Sequence, residues 1–94
     1  MTGVSDANIQ IDFNAPASLR KWPSLNNERN SNGAWPDPYL LFDGTLDECI
    51  RQFMERPITT HHLYEIHTAP QGELVSAVLS AKHIVELARL RDFL

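Results

Sequence analysis

Three histidines within seven residues, His61, His62 and His67, form the densest group of chemistry-bearing side chains, and Glu65 lies among them. Read as an extended segment, Thr59–His67 places His61, Glu65 and His67 on one face and His62, Tyr64 and Ile66 on the other, because side chains alternate along a strand. His61 and His67 would then stand roughly 20 Å apart, at a rise of about 3.3 Å per residue, which is too far to share one ion. The sequence has no His-x-His pair and no histidines at i,i+4. The pattern therefore points away from a metal centre within one chain. The expected role of Leu63, Glu65 and the flanking histidines is a wet face or the rim of an interface, and His83 reads as surface.

Nucleophiles are no better organised. Cys49 is the single cysteine, so it has no disulfide partner in its own chain and cannot belong to a four-cysteine zinc site. Its place on an apolar helical stripe predicts a small core residue. Ser76, Ser80, His62 and Asp43 supply serine, histidine and aspartate, but no Gly-x-Ser-x-Gly turn holds a serine for attack.

Phe42-Asp43-Gly44-Thr45-Leu46, following an apolar run, resembles the first motif of haloacid dehalogenase-type phosphatases. In that family a strand ends in Asp-x-Asp-Gly-Thr, the first Asp attacks phosphorus and the second is the general acid/base. The resemblance covers about six residues. It places Asp43 at the second position and Leu41 where the nucleophile should be, and phosphoryl transfer by that route needs the missing carboxylate. Asp43-Gly44 is expected to be a turn at the strand end, leading into a helix cap. Anion binding at that helix start is opposed by Asp43, Asp47 and Glu48.

The elements around these residues follow from the spacing of apolar side chains. Tyr39–Phe42 reads as a buried strand. Thr45 and Glu48 form a capping box, and Leu46, Cys49, Ile50, Phe53 and Met54 give one helical face that ends before Pro57. Asp47 and Arg51 are spaced for an i,i+4 ion pair. Thr59–His67 reads as a strand, Thr68–Gly72 as a turn, Glu73–Leu79 as the return strand and Ala81 to Asp92 as a second helix after Ser80. The predicted fold is α+β: a small mixed three-stranded sheet in β-α-β-β-α order, with two helices on one face and its first two strands parallel through a right-handed crossover.

Residues 1–38 differ in texture from 39–94, which divides the chain into a loop-rich arm and a βαββα domain. Ile9, Ile11 and Phe13 alternate as a possible extra strand, and Ala15–Trp22 suggests a helical turn or two. Pro23–Asp37, rich in Asn, Ser, Gly and Pro, reads as a loop. Trp22 and Trp35 argue that part of this arm packs, since an exposed ring forgoes about 1.5–3 kcal/mol of burial.

The chain has 94 residues, 43% apolar and 21% charged, with a net charge of −4. Eight scattered basic residues do not build the cationic footprint that binds nucleic acid, so Arg20-Lys21 beside Trp22 reads as an anchored aromatic rather than a stacking site. No apolar run is long enough to span a bilayer, and MTGVSDANIQ lacks the basic and apolar regions of a leader, so a soluble cytoplasmic protein is expected. No cofactor is implied. The roughly 56 residues from Tyr39 onward enclose a marginal core. That predicts support from the arm or from a second copy. The function expected is therefore protein–protein interaction, as a self-associating or accessory domain, with Trp22, Trp35, His62 and Tyr64 as candidate contact residues. The alternative is a small-molecule pocket between arm and sheet, lined by the same side chains.

Overall fold

The structure, a computed structural model, describes residues 11–30 and 37–93. Its class is α+β, as the sequence implies. The main sheet has four antiparallel strands in the order β4-β1-β5-β6, where β1 is Pro16–Lys21, β4 Tyr39–Thr45, β5 Tyr64–Thr68 and β6 Val78–Leu79. A separate hairpin joins β2 (Ser24–Leu25) to β3 (Glu28–Arg29). Two helices, α1 (Leu46–Met54) and α2 (Ala81–Phe93), pack on the sheet, and a 3₁₀ helix covers Ile58–Leu63.

The largest departure from expectation is β1. The expected helical turn at Ala15–Trp22 is an interior strand, antiparallel to β4 on one side and to β5 on the other. Ala17 and Leu19 are buried while Ser18 and Arg20 are only half-buried, the period-two pattern of a strand with one wet face. β4 and β5 keep the common direction expected of a crossover, but β1 lies between them. A strand of the arm thus exists at Pro16–Lys21, and the described residues 11–13 form none. Ile9 lies outside the described residues; Ile11 and Phe13 pack against the core without forming a strand.

Cross-strand register fixes what each face carries. Phe42, Leu19, Ile66 and Leu79 form one row across all four strands, facing Leu46, Cys49, Ile50 and Phe53 of α1 and Ile84, Leu87 and Ala88 of α2 in a single core. The next row, Asp43, Ser18, His67 and Val78, lies on the opposite face.

The capping box forms as read. The Glu48 amide donates to Thr45 Oγ1 at 3.1 Å and the Thr45 amide to Glu48 Oε1 at 3.0 Å. The chain ahead of β1 completes the helix start, with the Leu46 amide donating to the Ala15 carbonyl and the Asp47 amide to the Phe13 carbonyl, both at 2.8 Å. Three of the donors that a helix start leaves open are thereby satisfied. Asp43-Gly44 is not a turn. Both residues belong to β4, paired with Ser18 and Ala17. Gly44 is required for space: a Cβ there would sit 2.6 Å from Glu48 Oε1 and 2.8 Å from the Phe42 ring.

The strand expected from Thr59 begins only at Tyr64. Pro57 sets the preceding segment as a 3₁₀ turn, its carbonyl accepting from both the amide and the hydroxyl of Thr60, at 2.9 and 2.7 Å. The expected return strand over Glu73–Leu79 shrinks to Val78–Leu79 plus an isolated Gln71–Val75 bridge, around Gly72 at φ 58°. Gln71 is diverted to the N-terminal segment: its side-chain carbonyl accepts from the Asp12 amide at 2.7 Å and its side-chain NH₂ donates to the Asp12 carbonyl at 3.0 Å. The segment read as a loop over Pro23–Asp37 contains the β2–β3 hairpin, whose turn residues Asn26 and Asn27 have φ of 55° and 63°. Asparagine tolerates that left-handed geometry better than most residues, and such turns match the twist of a tight hairpin. Residues 31–36 of that segment lie outside the described residues.

Candidate functional site

On the sheet face opposite the helices, Trp22 and His67 converge on Glu65. The indole Nε1 of Trp22 donates to Glu65 Oε1 at 2.8 Å, and His67 Nε2 donates to Oε2 at 2.5 Å. Glu65 is only 9% exposed although its face carries no helix, and both carboxylate oxygens are satisfied as burial of a charge demands. The wet face expected at Leu63 and Glu65 is thus buried at both positions. Arg20, the cross-strand neighbour of Glu65, donates from Nε to Ser18 Oγ at 3.3 Å.

The hairpin is fastened to this corner. Arg29 lies over the Trp22 ring, 5.0 Å from its centroid, and its Nε donates to the His62 carbonyl at 3.0 Å. His62 Nε2 donates to the Asn27 carbonyl at 2.6 Å, and Asn27 Nδ2 to the Thr59 carbonyl at 3.0 Å. Of the four candidate contact residues, Trp22 and His62 therefore belong to one hairpin clasp. Tyr64 is buried on the helix side, edge-on to Phe53, with Lys21 and Arg56 against its ring. Trp35 lies outside the described residues. His61 is buried, stacked on Phe53 and donating from Nε2 to the Arg56 carbonyl at 2.9 Å.

Accessible apolar surface lies elsewhere. β4 is a terminal strand of the sheet, and Tyr39 and Leu40 are 46% and 51% exposed, with Leu41 exposed as well. A buried strand was expected from this run. Position in the sheet decides the matter: among the described residues, the outer strand has a neighbour on one side only. The register slips between Leu19 and Arg20, so that Leu41 is an extra residue on β4, a bulge that twists the edge locally.

A second apolar region lies on the helical side. A cleft of about 380 Å³ is lined by Met54, Ile58, Val85 and Ala88 together with the polar side chains of His61, Arg89 and Asp92. Trp22, His62 and Tyr64 do not line it. Ile58 and Phe93, 83% and 86% exposed, are the most exposed large apolar side chains among the described residues.

Cys49 is fully buried, and burial first, then the charges of Asp43 and Glu48, push its thiol up to about 11, so the nucleophilic thiolate is suppressed. Among the described residues no three His, Cys, Asp or Glu side chains are grouped to hold a metal ion, and no helix is long and apolar enough to cross a membrane. Asp43 is exposed in mid-strand with Leu41 two residues before it. Compared with known proteins, the chain matches no family model, no curated protein and no solved structure.

The β4 edge and the Glu65 cluster were both missed in the sequence. A tryptophan indole needs an acceptor when it packs, and Glu65, one residue beyond the buried Tyr64, was the available signal. Nothing in Tyr39–Phe42 marks it as an edge.

Proposed function

We propose that this chain is a small protein-interaction domain whose β4 edge accepts an extended segment of a partner protein as an added strand, and that it acts as a self-associating or accessory subunit. The observation that carries the reading is the exposed run Tyr39-Leu40-Leu41 on a terminal strand. Outer strands leave alternate backbone N–H and C=O groups without a ladder partner, and a docking strand takes them up while its side chains meet those of the edge. Natural edges are usually blunted by charge or proline. Here Pro38 precedes the strand and the first charge within it is Asp43, so within the strand itself only the bulge interrupts the apolar tripeptide.

The clasp of Trp22, Arg29 and His62 contributes rigidity to this reading rather than contact. It anchors the end of β1, the strand on which β4 is laid.

Peptides selected from a random extended library against the full chain test the proposal. Bound peptides are expected to shift the NMR amide signals of Tyr39–Thr45, and Leu40→Lys is expected to abolish binding. Selected peptides that perturb another surface and ignore Leu40→Lys would contradict it.

A further inference from the structure

We infer that the helical cleft is the surface through which two copies of this chain associate, in a two-fold arrangement that sets α2 antiparallel to its counterpart. This rests on the self-associating part of the reading above and assigns it a surface separate from β4. Contiguous exposed apolar side chains around a concavity mark an interaction site more often than scattered ones do. Met54 and Ile58 are exposed where they line this concavity, with Val85 half-buried and Ala88 buried beside them, and Phe93, the other highly exposed apolar residue, directly follows the lining residue Asp92.

Charge identifies the occupant. Arg89 and Asp92, three residues apart, both line the cleft, one of each sign. Among the described residues, Asp92 meets only Arg91 Nη2, at a long 3.4 Å, and no carboxylate lies within ion-pair distance of Arg89. A two-fold interface places the same patch on both partners, so each residue of a contact pair is used twice. With the axis crossing α2 between Leu90 and Arg91, Arg89 faces the partner's Asp92 and Asp92 faces the partner's Arg89. That axis position also sets Ala88 against the partner's Phe93. Ala88, the smallest residue lining the cleft and itself buried, leaves room above it for that ring. One placement therefore satisfies both the charges and the shape. An unrelated partner would have no reason to match it.

Sedimentation of the full chain across the micromolar to millimolar range tests the inference. A reversible dimer is expected. Arg89→Glu and Asp92→Arg should each weaken it by about tenfold or more, as reversals of close interfacial charges do. The double variant R89E/D92R rebuilds the pairs with their signs exchanged and should return most of that loss. Phe93→Ala should weaken the dimer by about tenfold or more without altering the charges. Unchanged melting of each variant at a concentration where the chain is monomeric separates loss of contact from loss of fold. A monomer at all concentrations, or a dimer indifferent to these four variants, overturns the inference, as does a double variant no tighter than the singles. If Leu40→Lys instead dissolves the dimer, self-association stands and this surface falls. If the chain is monomeric yet binds peptides at β4, the partner-binding proposal survives without it.

Discussion

The indole of Trp22 donates to the carboxylate of Glu65 across 43 residues of sequence, at 2.8 Å. That bond ties the residue just past the interior strand β1 to the second residue of β5, on the face the helices do not cover. Trp22→Phe keeps the ring against Arg29 but leaves Glu65 Oε1 short of a donor. The expected cost is about 1–3 kcal/mol, the usual penalty for orphaning a buried polar group. Urea denaturation measures it, and Glu65→Gln combined with Trp22→Phe should lose less than the two single changes added together.

Gly44 offers a sharper test of local geometry. Its replacement by alanine drives a methyl group into the Glu48 carboxylate and the Phe42 ring. Breaking the capping box should cost about 0.5–2 kcal/mol, and the crowded ring adds to that. Thr45→Ala, which removes the hydroxyl without crowding, should lose about 1 kcal/mol. Thermal melting that ranks Gly44→Ala above Thr45→Ala supports steric necessity over backbone freedom at this glycine.

The first helix, with its cap, was legible because every local signal agreed: Thr45, Glu48 and a continuous apolar stripe. The sheet was less so. Ala17 and Leu19 carry an alternation too short to outweigh the helical reading of Ala15–Trp22, and only pairing on both sides makes β1 a strand. Tyr39–Phe42 reads the same way for an edge as for a centre. Trp22 and His62 read in the sequence as candidate contact residues, and their partners within the fold, Glu65, Arg29 and Asn27, are distant in sequence and joined only by the fold. Long-range pairing was the information a single chain of letters did not carry.

Cys49 supplies a pH dependence. The thiol rises from 9.0 to about 11 on folding, so the unfolded chain loses its proton first. Stability from this group is full below pH 9 and is lost as pH climbs towards 11. The urea midpoint of the native chain should therefore fall more steeply over that window than that of Cys49→Ala, and a thiol reagent should react with Cys49 only as the protein opens. Equal slopes, or rapid labelling of the folded state, would count against a sealed thiol.

Removing residues up to Lys21 withdraws an interior strand together with the two carbonyls that cap α1. Such a shortened chain should lose its cooperative thermal transition. A transition retained at the parent temperature would mean that β4 and β5 can pair without β1.

Amide hydrogen exchange of the dilute full chain bears most directly on the proposed docking edge. In a free edge, outward-facing amides within Tyr39–Phe42 should exchange orders of magnitude faster than those of β1 and β5. A peptide selected for binding should slow those same amides and leave α1 unchanged. Amides of β4 already protected as strongly as those of β1 in the free monomer, or protection by the peptide that falls elsewhere, would contradict the account.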